Sequence, residues 1–227
     1  MSWLRNHLKK IKPLRKLYYK ILEFTPQKIY FNRNLKKVEQ FDNVNGTNFS
    51  GRMYWDEIGT TVERANDYSP TPDKLIETLE KFHISAKDAI LDLGSGKGYA
   101  MYLMSKYGFG KIGGVELSEL LCDIAKDNLD KMMPKGLNWE VINCDAGKWD
   151  GYEKYNYFFM YNPFPREVLI EVKRRIEESI IERPRKVTLL YLMPRCAEVF
   201  SEDENWRLVR RGSIFEQKRG MHIFVNV

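Results

Sequence analysis

The stretch ILDLGSGKGYA, residues Ile90 to Ala100, decides the fold prediction. An apolar run with one acid enters a loop that has glycine at every second position. Glycine accepts positive φ and lets another group approach the backbone closely, so Gly94 and Gly96 indicate a loop that holds a ligand. Gly98 stands where the next helix opens. The stretch therefore predicts a strand, a ligand-binding turn and a helix in succession.

Strand and helix patterns alternate through the rest of the chain. Five apolar segments predict strands: AILDL, KIGGVEL, LNWEVINCD, YNYFFMY and KVTLLYLMP. Helical patterns lie between them, one capped by Ser118, and two closing strands flank a KRG turn. The alternation predicts a parallel sheet with right-handed crossovers, and the closing hairpin predicts an antiparallel strand at one end. In such sheets the ligand binds at the carboxyl ends of the strands.

Acids at the predicted strand ends indicate the kind of ligand. Asp92 stands beside the glycine loop, where it would repel a pyrophosphate but suit a ligand that bears an ammonium group. Glu116 ends the second strand and can accept hydrogen bonds from two ribose hydroxyls, and Asp145 ends the third, where it can face an adenine amino group. A dinucleotide loop would read G-x-G-x-x-G, and here Tyr99 holds the last position. A ligand with an amino-acid end, a ribose and an adenine, in that order along the strand ends, describes S-adenosylmethionine better than NAD.

With these motifs, residues 68–227 resemble the class I S-adenosylmethionine-dependent methyltransferases. The matching motifs are DLGSGKG, GVEL, NCDA and YNPF. The resemblance implies a seven-stranded, mostly parallel α/β sheet with helices on both faces and an antiparallel last strand. It also implies S-adenosylmethionine as cofactor, held at the methionine, ribose and adenine parts by Asp92, Gly94, Ser95, Gly96, Gly98, Glu116, Leu117, Asp145 and Ala146.

A Tyr-x-x-Thr pattern precedes the first strand, at Tyr68 and Thr71. It is similar to the cofactor-contacting loop of the non-SET protein-lysine methyltransferases, which implies that both residues touch the methionine part. The alternative is a turn followed by a helix in TPDKLIETLEKF, with Thr71 as the helix cap. The sequence leaves both interpretations open.

Asn162 follows the fourth strand in the segment YNPF. Amino-methylating enzymes of the resembled class keep an acid or Asn followed by Pro-Pro-aromatic there, and a carbonyl accepts from the target amine. Here the second proline is displaced to Pro165, which argues against amino methylation of nucleic acids. Asn162, Tyr161 and Tyr68 are the predicted catalytic residues, Asn162 is also a predicted cofactor contact, and no His stands out as a general base.

The basic charge is concentrated at the start of the chain. The net charge is +6, yet residues 1–40 contain eleven Lys or Arg and two Glu, so the remaining body is slightly acidic. This distribution gives no indication of a nucleic-acid substrate. Residues 3–22 show a helical pattern that Pro13 interrupts, and they predict either a contact with an anionic membrane or partner, or a helix packed on its own domain.

The resulting prediction is a basic helical arm and cover in residues 1–67, followed by a methyltransferase domain in residues 68–227. Residues 41–66 are expected to form a loop. Three scattered cysteines predict a reduced, cytoplasmic protein, with membrane association through the arm as a further expectation, and no residue spacing indicates a metal site. The expected reaction is direct methyl transfer to a small-molecule or glycan-pathway acceptor. The alternatives are protein-lysine methylation, a non-catalytic S-adenosylmethionine-binding module and, on a related sheet, a nicotinamide oxidoreductase.

Overall fold

A computed structural model describes residues 26–210 and 220–227. Within them the chain forms a seven-stranded sheet in the order β3-β2-β1-β4-β5-β7-β6. Strands β1 to β5 are parallel, and β7 runs antiparallel to both of its neighbours, β5 and β6. The predicted fold class is therefore confirmed. The strands are β1 Ala89–Leu93, β2 Lys111–Glu116, β3 Asn138–Asn143, β4 Tyr157–Tyr161, β5 Thr188–Leu192, β6 Trp206–Arg210 and β7 Met221–Asn226.

Helices connect most of these strands. They are α1 Pro26–Asn45, α2 Lys74–Leu79, α3 Tyr99–Met104, α4 Glu119–Met132, α5 Arg166–Glu182 and α6 Glu198–Ser201, with a 3₁₀ turn at Tyr152–Lys154. Ser118 caps α4 as predicted, because its side chain accepts a hydrogen bond from the Leu121 amide at 3.3 Å. Thr71 does not cap α2, which begins after Asp73, so that part of the prediction is wrong.

The core lies in two layers, one on each face of the sheet. Side chains alternate along a strand, so neighbouring residues pack into opposite layers. Phe159 and Leu190 belong to the layer that contains Val38 of α1, whereas Phe158 belongs to the layer that contains Val172 of α5. All of these side chains are fully buried, which explains why β4 and β5 read as continuous apolar runs.

Helix α1 extends further than the sequence indicated. Residues 41–45 were expected to be loop but form its last turn, so the expected loop begins only at Gly46. Asn34, Val38 and Asp42 are buried at helical spacing, so part of the basic segment packs on the domain. The predicted helical pattern in residues 3–22 lies outside the described residues.

Residues 46–73, called the cover here, connect α1 to α2 and cross the carboxyl ends of the strands. The Asp42 carboxylate accepts hydrogen bonds from the amides of Phe49 and Ser50, at 2.9 and 2.6 Å. The Lys97 ammonium, from the glycine loop, reaches the Asn48 side chain at 2.9 Å and the Ser50 carbonyl at 2.7 Å. These bonds fix the start of the cover to the loop after β1.

No helix in the described part of the chain is both long and apolar enough for a membrane span.

Candidate functional site

A cleft opens at the carboxyl ends of β1 and β2, where the chain leaves the first strand for the glycine loop. Strand order reverses beside β1, since β2 and β3 lie on one side and β4 on the other. Ligands of open α/β sheets bind at such a reversal. The cleft encloses about 480 Å³, including the part open to solvent. Its walls comprise Arg64, Ala65, Tyr68, Gly94, Gly96, Val115, Glu116, Leu117, Leu121, Cys144, Asp145, Ala146, Pro163, Phe164 and Val168.

The glycine loop adopts the predicted conformation. Gly94, Gly96 and Gly98 have φ of 76°, 55° and 85°. The groups nearest the first two are protein atoms. A Cβ on Gly94 would lie 2.4 Å from Pro163, and one on Gly96 would lie 2.4 Å from the ring of Tyr68. The loop is therefore packed between the turn after β4 and the cover.

Two of the residues predicted to contact the cofactor, Asp92 and Glu116, are buried carboxylates. Asp92 is the fourth residue of β1 and Glu116 the last of β2, and both are at most 7% exposed. Burial raises the pKa of Asp92 well above its usual value, and the nearby charge of Glu116 adds to the shift. Burial also raises the pKa of Glu116, although its oxygens accept from the amides of Ser118 and Gly96, both at 2.9 Å.

Such a pair is unfavourable as two isolated anions and becomes favourable when a cation binds. S-adenosylmethionine carries an ammonium group and a sulfonium, so the electrostatics of Asp92 and Glu116 fit this ligand. Leu117, Leu121, Ala146 and Val168 supply an apolar surface in the same cleft, which suits an adenine ring. The residues present therefore fit the cofactor that the sequence predicts.

Asp145 lies two residues beyond the end of β3, because that strand ends at Asn143. One carboxylate oxygen accepts from the Gly147 amide at 3.0 Å, and the other is bound by Arg64 of the cover. Arg64 also reaches Glu171 of α5 at 3.1 Å. The hydrogen bond with Glu171 contributes most to a raised pKa of the guanidinium, and the bond to Asp145 adds to it. The predicted adenine contact is thus one end of a three-residue ion cluster.

Tyr68 lies in the wall of the cleft, against Gly96, and donates a hydrogen bond from its hydroxyl to the Phe49 carbonyl. Burial raises its pKa well above the usual value, with smaller contributions from Asp42, Asp92 and other nearby groups. Such a phenol is a poor general base near neutral pH. Thr71 is also buried but does not line the cleft.

Asn162 follows β4 in a left-handed conformation, with φ of 43°. Its side-chain oxygen accepts from the Tyr191 hydroxyl at 3.3 Å, and its backbone carbonyl accepts from the Asn66 side chain at 2.9 Å. The backbone N–H of Asn66 donates to the Pro163 carbonyl at 2.9 Å. A strained non-glycine backbone held by several bonds is typical of functional turns. Tyr161, the last residue of β4, is partly buried beside it.

The structure brings seven of the predicted residues to one cleft: Tyr68, Gly94, Gly96, Glu116, Leu117, Asp145 and Ala146. The other predicted residues do not form its wall: Thr71 lies in the cover, and Asp92, Ser95, Gly98, Tyr161 and Asn162 lie in β1, the glycine loop, β4 and the turn after β4. Sequence reasoning missed Arg64, whose partners are 81 and 107 residues away and leave no local signal. It also missed Phe164 as a wall residue, although the YNPF segment contains it.

Groups of three or more His, Cys, Asp or Glu arranged to hold a metal ion do not occur among residues 26–210 and 220–227.

A protein-family model matches more than half of the chain. Residues 27–162, from α1 to the turn after β4, match the model of the protein-L-isoaspartate(D-aspartate) O-methyltransferases. The chain belongs to this family. The family is one of methyltransferases, and the matched segment contains both the glycine loop and the two buried carboxylates.

A ribosomal protein L11 methyltransferase of Dictyoglomus thermophilum is 25% identical over 140 residues, which are 55% of this chain. The chain covers 44% of the length of that relative.

Two solved structures share the fold. YhhF of Escherichia coli, named as a methyltransferase, is 17% identical with a TM-score of 0.55, over 70% of this chain and 88% of that one. An S-adenosylmethionine-dependent methyltransferase of Aquifex aeolicus is 18% identical with a TM-score of 0.50, over 69% and 94% of the two chains.

Proposed function

We propose that this protein methylates a carboxylate oxygen of a small acceptor, a small molecule or an intermediate of a glycan pathway, by direct displacement. The proposal rests on the hydrogen bonds that the turn after β4 already accepts. The oxygens there that would accept from a target amine, those of Asn162 and Pro163, already accept hydrogen bonds from Asn66 and Tyr191. An amine would have to share them, whereas a carboxylate brings its own lone pairs and needs none of them.

The proton requirements of the reaction support the same acceptor. A hydroxyl acceptor must lose a proton, and the raised pKa of Tyr68 makes that residue a poor base for the task. A carboxylate is ionised at neutral pH and needs no base.

The chain's contribution to the reaction is then binding and alignment. When bound, S-adenosylmethionine supplies a methyl group made electrophilic by its sulfonium. Asp92 and Glu116 would hold its cationic and ribose parts, and the cover supplies one wall of the cleft. Alignment of two reactants can lower a barrier by about 7–11 kcal/mol. No acid or base catalyst is required for this step.

The cover also bears on acceptor size. Arg64, Ala65 and Tyr68 form one wall of the cleft, so an acceptor has to enter past the cover. A small molecule or one projecting side chain suits this access better than a broad folded surface. The family name describes O-methylation of isoaspartyl and D-aspartyl groups in proteins, which supports a carboxylate acceptor and adds a peptide-borne carboxylate as a candidate.

Protein-lysine methylation is the second candidate. Two observations favour it: the similarity to a ribosomal protein L11 methyltransferase and the Asn-Pro-aromatic order of the turn after β4. The displaced second proline and the engaged carbonyls count against it.

The experiment is methyl transfer from labelled S-adenosylmethionine into fractionated cell extract, followed by mild alkali. A methyl ester hydrolyses and releases labelled methanol, whereas an N-methyl amine or a methyl ether keeps its label. We expect protein-dependent label that is volatile after alkali and resides in a small-molecule fraction. Alkali-stable label on lysine would contradict the proposal and establish the second candidate. The Glu119→Ala variant serves as an activity control, because Glu119 is exposed at the start of α4.

A further inference from the structure

A short segment of the cover, from the turn that ends at Arg64 to the bridge at Tyr68, passes along the cleft. We call residues 64–68 the strap. Side chains two residues apart along it reach different regions of the donor site. Arg64 contacts Asp145 at the predicted adenine end, Asn66 contacts the turn after β4, and Tyr68 packs on Gly96 of the glycine loop. Three side chains of this five-residue segment therefore contact all three regions.

The two ends of the strap are held by different interactions. The backbone of Tyr68 pairs with Met53 through two hydrogen bonds of 2.8 and 3.2 Å, within the cover itself. Arg64 instead bridges two other elements, the loop after β3 and helix α5, through Asp145 and Glu171. The Arg64 end therefore connects the cover to the opposite wall of the cleft.

The site that receives Arg64 is shaped for the cluster. Gly147 leaves space for Glu171, since a Cβ there would lie 2.4 Å from a Glu171 carboxylate oxygen. The Gly147 amide also holds the second oxygen of Asp145 at 3.0 Å. Arg64 presents both of its terminal nitrogens to Glu171 and one to Asp145, a fork that a guanidinium forms and an ammonium does not.

The burial of these groups predicts how the cluster responds to salt. The side chains of Arg64, Asp145 and Glu171 are 30%, 16% and 42% exposed. Ion pairs at this depth are partly open to solvent, so dissolved salt screens them. A closure that depends on these pairs opens more readily at high ionic strength, unlike one that depends on apolar packing.

We propose that Arg64 is a positioning residue that locks the strap over the bound donor, so that the donor product leaves only when the Arg64 pairs with Asp145 and Glu171 open. The proposal concerns the donor cleft alone and is independent of which acceptor is methylated. It assigns Arg64 and Glu171 a part in product release, and it makes release the salt-sensitive step.

The test measures dissociation of S-adenosylhomocysteine by stopped-flow in wild type, Arg64→Gln, Arg64→Lys and Glu171→Gln. We expect S-adenosylhomocysteine to dissociate from Arg64→Gln at least about tenfold faster than from wild type, because the variant loses hydrogen bonds to charged groups. The association rate should change less. Arg64→Lys should recover part of the difference, because it keeps a single point charge. Glu171→Gln leaves Asp145 intact and should accelerate dissociation to a lesser degree.

Salt separates a lock from a merely structural role. Between about 0.1 and 1 M salt the screening length falls from about 10 to 3 Å, so wild-type dissociation should accelerate, and that of Arg64→Gln should change much less. Arg174→Gln is the matched control, an exposed arginine of α5 that pairs with Glu178, and it should behave as wild type. Unchanged dissociation in both Arg64→Gln and Glu171→Gln, or equal salt dependence in wild type and Arg64→Gln, would overturn the proposal. If Arg64→Gln fails to fold, Glu171→Gln and the wild-type salt dependence decide.

Discussion

The folded protein favours the protonated form of the Asp92 carboxyl group over its charged form. Its pKa is raised by burial and by Glu116, so the folded state keeps the proton more tightly than the unfolded chain does. Stability therefore falls as pH rises from the ordinary Asp value through the raised one. A cationic donor reverses this balance, since it binds the ionised form. Donor binding should release protons in that window and tighten as pH rises.

Asp92→Asn separates the two effects. The variant has no ionisable group to desolvate, so without ligand it should melt higher than wild type at mildly alkaline pH. The gain is about 2–4 °C for each kcal/mol relieved. The difference should disappear at acidic pH, where Asp92 is protonated, and binding of S-adenosylmethionine should be strongly weakened. Thermal unfolding and calorimetry across pH measure both, and a variant that melts lower than wild type at alkaline pH would disprove this reading of Asp92.

At the scale of elements, Asp42 joins α1 to the cover. Its pKa is lowered overall, because the hydrogen bonds from residues 47–50 outweigh the opposing effect of burial. Asp42→Ala leaves the Phe49 and Ser50 amides without these acceptors, and we expect a loss of about 1–3 kcal/mol in unfolding free energy. Wild type should also lose this contribution as pH falls through the lowered pKa, so the two proteins should converge in acid. Denaturant titrations that show equal stability at neutral pH would contradict the assignment.

The same elements show what the sequence could and could not predict. The strands and α5 have strong apolar patterns, and the glycine loop has a spacing that local sequence reveals. The end of helix α1 was wrongly expected to be loop, because its buried stripe includes the polar residues Asn34 and Asp42, which weaken the apolar periodicity. Arg64 was missed because ion pairs across the cleft depend on the fold, not on neighbours in the chain.

For the whole molecule, the strongly basic segment at the start of the chain suggests a contact with an anionic surface. Residues 1–25 contain seven Lys or Arg and one Glu. Each basic residue near an anionic membrane is worth about 1 kcal/mol. We propose that this segment binds anionic surfaces, and we expect the full chain to sediment with anionic vesicles at low salt. Binding should weaken with added salt and should be absent with neutral vesicles.

A chain that starts at residue 26 keeps α1 and Asp42, and so keeps the anchor of the cover. It should bind S-adenosylhomocysteine as the full chain does but fail to sediment with anionic vesicles. Equal sedimentation of both chains, or of neither, would remove the membrane proposal and leave a role within the protein itself.

We expect the cleft beside the glycine loop to bind the methyl donor, with Glu116 at its ribose. The most direct measurement is calorimetric titration of S-adenosylhomocysteine into wild type, Glu116→Ala and the exposed control Glu119→Ala. We predict one binding site in wild type and in the control, and binding weaker by about 1–3 kcal/mol in Glu116→Ala, which loses a charged acceptor. If wild type binds no S-adenosylhomocysteine, the cleft is not a donor site; if Glu116→Ala binds it as tightly as wild type, Glu116 does not hold the ribose.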